Sequence, residues 1–196
     1  MILHSYVNSS FVNGPGNRFV IWTQGCTKGC KNCYNPETWN KNGFEYTAKH
    51  LFNLISIAQV DGLTISGGDP LEQPDELLKL LKLVKKLNLK KGVILFTGYT
   101  LNEINEISGN TKKCLDYIDL LIDGRYEEKQ RLTHGLRGSE NQNYYFFSDV
   151  LKKEEIEFDH SIEIGNVNGK IYITGFPVLI NLNKYGLKYE NPRNIK

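Results

Sequence analysis

The sequence predicts an α/β fold: a sheet of parallel strands with helices packed on it, followed by an antiparallel hairpin. Three observations lead there. Short apolar runs at Phe19–Thr23, Gly62–Ser66, Val93–Phe96 and Ile118–Ile122 alternate with helical patterns. The runs are largely continuous rather than alternating, as in strands covered on both faces. Beyond residue 142 the pattern becomes alternating, around Asn168-Gly169, a strong hairpin signal.

Each element has its own signal. Met1 to Val12 reads as an extended segment, and Asn13-Gly14-Pro15-Gly16 has the residues a tight reversal needs. A helix is predicted from Thr47, its cap, to about Gln59, with Leu51, Leu54, Ile55 and Ala58 at helical spacing. A second runs from about Pro74, suited to a first turn, to Leu87. Its inner stripe is Leu77, Leu81 and Val84, and Lys79, Lys82, Lys85 and Lys86 face solvent. A short helix is predicted over Leu101–Ile107. After residue 142 come an aromatic strand at Asn143–Phe147, expected to face the core, and a short helix over Val150–Glu157. The hairpin strands are Ser161–Ile164 and Lys170–Thr174, and the tail from Asn191 is expected to fray. The domain reading is therefore a core over 1–142 and a β-rich appendage over 143–196 packed on it.

The chain has 196 residues, enough for one domain with a real core. A net charge of +2 gives no case for nucleic-acid binding. No apolar run spans a bilayer and the amino terminus does not read as a signal peptide, so a cytoplasmic protein is expected.

Three of the four cysteines lie within eight residues, as Gly25-Cys26-Thr27-Lys28-Gly29-Cys30-Lys31-Asn32-Cys33-Tyr34. A disulfide framework would spread its cysteines along the chain; a tight cluster points to a metal site. Thiolates suit iron–sulfur clusters and zinc. Gly25 and Gly29 ease the curl of the loop, and Lys28 and Lys31 are expected to lower the thiol pKa values. A 4Fe–4S cluster ordinarily takes four cysteines, so three leave one iron open for a substrate. The competing reading is structural zinc completed by a histidine or Cys114, yet no histidine follows Cys33 at finger or knuckle spacing. Cys114 is expected to be a buried structural thiol. His4, His50, His134 and His160 share no motif.

The Cys-x-x-x-Cys-x-x-Cys spacing resembles the radical S-adenosylmethionine superfamily. The longer stretch from Cys26 to Trp39 is similar to the activating proteins of anaerobic ribonucleoside-triphosphate reductase. So are Thr64 to Leu71, Phe96-Thr97-Gly98-Tyr99, Asp119 to Gly124 and Arg137 to Gln142. Many superfamily members carry an aromatic residue before the last cysteine. Here Asn32 stands there and Tyr34 follows, as in the activating subgroup.

The resemblance implies a partial (β/α) barrel of parallel strands with helices outside and a C-terminal antiparallel hairpin. It implies a 4Fe–4S cluster on Cys26, Cys30 and Cys33 that reductively cleaves S-adenosylmethionine. The site would draw on Gly67, Gly68, Asp69 and Pro70 for the methionine amino group, with Asp69 acting directly or by shaping its loop. Thr97 and Tyr99 would line the ribose or adenine pocket, Tyr34 would stack on adenine, and Asp123 would meet a ribose hydroxyl or a lysine. Packing or turn roles compete for each. Arg18 and Lys28 would offset negative charge from the cluster or from a partner. The implied partners are a glycyl radical protein, an anaerobic ribonucleoside-triphosphate reductase, and a one-electron reductant such as flavodoxin. A radical enzyme acting on a small molecule or peptide, and an iron–sulfur or zinc module without such chemistry, are the alternatives.

Overall fold

All six residues of Arg18–Thr23 are buried, which demands strand neighbours on both edges and cover on both faces. The computed structural model, which describes residues 1–167 and 170–175, supplies both. In chain order the elements are β1 (Ile2–Val7), β2 (Arg18–Thr23), β3 (Phe44–Glu45), α1 (Ala48–Ala58), β4 (Gly62–Gly67), α2 (Pro74–Val84) and β5 (Val93–Phe96). Then follow α3 (Leu101–Glu106), α4 (Asn110–Lys113), β6 (Leu120–Asp123), β7 (Asn143–Phe146), α5 (Lys153–Ile156), β8 (Ile162–Val167) and β9 (Lys170–Gly175).

β2, β4, β5 and β6 pair in parallel. β1 and β7 flank them antiparallel, and β3 adds to β1, in the order β3-β1-β2-β4-β5-β6-β7. β8 and β9 form a separate antiparallel pair. The turn residues Asn168-Gly169 and the tail lie outside the described residues.

Alternate side chains along each strand serve opposite faces. Phe19, Ile21, Leu63, Ile65, Leu95 and Leu121 join Leu51 and Ile55 of α1 and Leu77 and Leu81 of α2 in one core. Ile94, Leu120 and Ile122 join Leu136, Leu151 and Ile156 in another. Each fully buried leucine or isoleucine contributes roughly 1.5–3 kcal/mol.

Helix ends follow local chemistry. The Thr47 side chain accepts from the His50 amide at 3.1 Å, and α1 stops at Gln59 in the left-handed region, φ 50°. α2 ends at Val84, one turn short of the expected Leu87. α3 opens on a capping box between Thr100 and Glu103. Thr100→Ala is expected to lower stability by about 1 kcal/mol, read as a shift in the urea midpoint at unchanged m-value.

Three expectations are corrected. β6 begins at Leu120 rather than Ile118, because Cys114–Tyr117 is a 3-10 turn. Asp119 is also diverted: its Oδ2 accepts from the Val93 amide at 2.7 Å and its Oδ1 from Ser148 at 2.6 Å. The helix after Val150 is one turn only. The aromatic run is core only in part: Tyr144 and Tyr145 pack against the two cores. Tyr144 and Tyr145 are half-buried and Phe146 and Phe147 exposed, because β7 is an edge strand.

Candidate functional site

Parallel strands direct their carboxyl ends to one side of a sheet, where sites collect. The cysteine loop follows β2, Gly67 ends β4, Thr97 follows β5 and Asp123 ends β6. The fold thus brings every expected site segment to that end.

The loop is tied down by its backbone. The Gly25 amide donates to Thr38 O at 2.7 Å and the Cys26 amide to Trp39 O at 3.1 Å, closing the loop on itself. Gly25, Gly29 and Asn32 take left-handed backbone. The Gly68 amide donates to Thr23 O at 2.8 Å and the Asp69 amide to Gly25 O at 2.9 Å, which join the glycine loop to the cysteine loop. A Cβ on Gly68 would lie 2.3 Å from Gly25 O, so only glycine permits that junction.

Cys26, Cys30 and Cys33 are free and half-buried. Among the described residues no three His, Cys, Asp or Glu side chains are grouped so as to hold a metal ion. The donor chemistry nonetheless fits an iron–sulfur cluster, with three accessible thiols on one loop. Cys114 takes no part. It is fully buried, with its Sγ 3.2 Å from Asn110 O, and burial pushes its thiol up to about 12.

The expected depression of the thiol pKa values does not hold at Cys26. Burial pushes that thiol up to about 11, opposed by a hydrogen bond from the Lys28 backbone. Asp69, Glu72 and Cys30 add to the rise, and the Lys28 ammonium, 3.3 Å from the Tyr99 ring centroid, is itself paired with Glu72 Oε1 at 3.6 Å. Metal binding here must therefore displace a proton.

Asp69 is fully buried. Its Oδ1 accepts from the Leu71 amide at 3.0 Å and Thr97 Oγ1 at 2.8 Å, and its Oδ2 from the Gly98 amide at 3.0 Å. Of the two roles expected for it, this favours shaping the loop: the carboxylate couples the ends of β4 and β5. Burial raises its pKa to about 6. A folded-state pKa above the unfolded value means stability fully present below about pH 3.8 and lost as pH rises through about 6. Asp69→Asn should flatten that part of the profile, by up to about 1.4 kcal/mol per pH unit. Urea unfolding of both proteins across that window would measure it; parallel profiles would refute the assignment.

Asp123 is likewise buried and engaged. Its Oδ2 accepts from the Leu101 amide at 2.6 Å and its Oδ1 from Asn143 Nδ2 at 3.0 Å. It braces α3 and β7. Tyr34 packs on Tyr126, with ring centroids 4.7 Å apart, and under the Arg131 guanidinium at 5.2 Å.

Arg18 does not offset charge at this site. It starts β2, at the opposite end of the parallel strands, and is fully buried. Its guanidinium donates to Thr64 Oγ1 at 2.6 Å, Leu63 O at 2.7 Å, Lys91 O at 2.9 Å, and Pro15 O and Gly92 O at 3.0 Å.

Several residues near the site carried no motif. Glu72 Oε1 accepts from the Thr27 amide at 2.8 Å and Thr27 Oγ1 at 2.5 Å, anchoring the cysteine loop. Buried Gln24 donates to Glu37 O at 3.0 Å and Asn40 O at 2.7 Å, holding the loop's return. Arg125 pairs with Glu103 at 2.7 Å just beyond β6. Glu72, Gln24 and Arg125 stand at no ligand-like spacing, so nothing in the sequence marks them.

Residues 12–145 match the model of the 4Fe-4S single cluster domain. The chain is 37% identical over 151 residues to the anaerobic ribonucleoside-triphosphate reductase-activating protein of Enterobacteria phage T4, covering 74% of this chain and 94% of that one. The protein of that name from Vibrio cholerae is 36% identical over 159 residues, 76% and 99% of the two chains. The one from Escherichia coli K12 is 32% identical over 152 residues, 72% and 96%. Matches spanning nearly the whole of these relatives, together with three free thiols on the loop after the first parallel strand, mean that the chain belongs to the family of anaerobic ribonucleoside-triphosphate reductase-activating proteins, with a 4Fe-4S single cluster domain.

Proposed function

We propose that this chain is a radical S-adenosylmethionine enzyme that generates a glycyl radical on an anaerobic ribonucleotide reductase. The observation that carries the reading is the hydrogen-bonded junction of the cysteine loop with Gly67-Gly68-Asp69-Pro70 at the carboxyl ends of parallel strands. A bare metal module has no need of that second loop.

Cys26, Cys30 and Cys33 would hold the cluster and leave one iron open to the amino acid end of S-adenosylmethionine. A bound cluster would supply the one-electron reductive cleavage of S-adenosylmethionine to methionine and a 5′-deoxyadenosyl radical, its electron drawn from an external flavodoxin-like reductant and the radical's target a glycine Cα–H of the partner. The chain's own residues hold and orient. Gly67 and Gly68 let the ligand approach the backbone, Asp69 and Thr97 lock that loop to β5, and Tyr99 and Asp123 flank the nucleoside end. Tyr34, braced by Tyr126, walls the side toward residues 126–138. No general acid or base is required.

The four parallel strands support a partial (β/α) barrel with its helices outside, open enough to admit a partner's loop. Residues 1–142 form the radical core in this reading, and 143–196 an appendage whose first strand extends the core sheet. No helix among the described residues is long and apolar enough to cross a membrane; with the target enzyme in mind, a cytoplasmic setting follows.

The test is anaerobic reconstitution with iron and sulfide, reduction, and addition of S-adenosylmethionine. The expected product is 5′-deoxyadenosine, with a glycyl radical signal when an anaerobic ribonucleoside-triphosphate reductase is present. A cluster that forms without cleavage indicates an electron-transfer module. Zinc binding with no cluster overturns the reading.

A further inference from the structure

Lys28 stands between the first two cysteines of the loop, yet its side chain is only 8% exposed. Three contacts fix it. The ammonium lies 3.3 Å from the Tyr99 ring centroid and 3.6 Å from Glu72 Oε1. Its stem covers Gly98, where an added Cβ would meet Lys28 Cγ at 2.9 Å. Glu72 in turn holds Thr27 through amide and hydroxyl, and Gly98 donates to Asp69. A flexible solvated lysine would do none of this; a side chain loses substantial rotamer freedom to be held so. The pinned charge sits two residues from Cys26 and two from Cys30, in a partly desolvated setting where charges act strongly on one another.

We infer that Lys28 is a positioning residue that sets the reduction potential of the cluster: its ammonium, clamped by Tyr99 and Glu72, stabilises the reduced and more negative state. The inference rests on the cluster reading above. Glu72 is the counterweight. Its carboxylate orients the ammonium and also opposes it, so removing either charge moves the potential in opposite directions. Tyr99, expected at the nucleoside pocket, then has a second task as the platform beneath the ammonium.

Three variants test this in the reconstituted full chain, each titrated electrochemically with the reduced cluster read by electron paramagnetic resonance. Lys28→Met keeps the stem and removes the charge. The ratio of reduced to oxidised cluster at a fixed poise is expected to fall about tenfold, 59 mV for a one-electron couple. Glu72→Gln keeps an acceptor for Thr27 and removes the negative charge, so the ratio is expected to rise by a similar factor. Lys28→Arg, which keeps charge and ring stacking, is expected to stay within about twofold of the unsubstituted chain. Unchanged potentials in Lys28→Met and Glu72→Gln overturn the inference. So do shifts of the same sign in both, which mark a loosened loop rather than a charge effect. If Lys28→Met holds no cluster, Lys28→Gln takes its place, and an unchanged potential there overturns the inference. Absence of a cluster from the unsubstituted chain instead overturns the reading on which the inference rests.

Discussion

Cys30→Ala is expected to abolish both cluster assembly and 5′-deoxyadenosine formation while leaving the fold intact. Cys30 is half-buried on the loop and belongs to none of the buried hydrophobic clusters of the described residues. Its loss should cost no more than the roughly 0.5 kcal/mol typical of surface changes. With three thiols the loop can bind a cluster and keep one iron open; with two, the ligand set fails. The loss should therefore be complete rather than graded: product at the level of a protein-free control, iron per chain near zero, and an unchanged melting curve for the metal-free protein. Cys114→Ala is the control. Product formation should persist, because that thiol is buried behind α2 and α4 and bonded to Asn110 O. A Cys30→Ala protein that still cleaves S-adenosylmethionine would sink the assignment of the loop.

Arg18→Leu is expected to be the most destabilising single change. The guanidinium satisfies one hydroxyl and four backbone carbonyls at the amino ends of the parallel strands. No carboxylate lies within ion-pair distance of it among the described residues. Burial consequently lowers its pKa to about 9, countered in part by Asp119 and Asp61 at longer range. Replacing it leaves several buried acceptors unmet, each worth about 1–3 kcal/mol before relaxation. Even with water entering, a net loss of about 3–5 kcal/mol follows, against a total stability of about 5–15 kcal/mol. Urea denaturation should show a markedly lower midpoint. Arg18→Lys should recover only part of it, since one ammonium cannot reach acceptors on both β4 and the Lys91–Gly92 turn. A midpoint within about 0.5 kcal/mol of the unsubstituted chain would show that the network is dispensable.

The contrast between these two residues shows where sequence reasoning succeeds. The cysteine loop was legible because ligand chemistry restricts spacing, and spacing is visible in one dimension. The parallel strands were legible because doubly covered strands are apolar throughout. Arg18 was misassigned because a charged residue opening an apolar strand looks like a surface boundary. Only the three-dimensional convergence of Pro15, Leu63, Thr64 and the Lys91–Gly92 turn gives it five partners. Asp69 and Asp123 stood at the right strand ends, but the donors that surround them come from loops up to 29 residues away. Asp119 interrupted the apolar run Ile118–Ile122, and the strand begins after it. Phe146 and Phe147 misled because hydrophobicity alone does not tell an edge strand from a central one.

The contacts that shelter the cysteine loop have a timing built into them. The thiols at 26–33 are translated long before Glu72, Tyr99, Tyr126 and Arg131, the residues that clamp or cover their loop. Synthesis proceeds at about 5–20 residues per second, so about a hundred residues of delay amounts to roughly 5–20 s. For that interval the nascent chain presents three neighbouring thiols with no clamp and no completed sheet behind them. Iron and sulfide therefore meet a finished loop only after most of the domain has been synthesised, and oxidants meet an unguarded one before it.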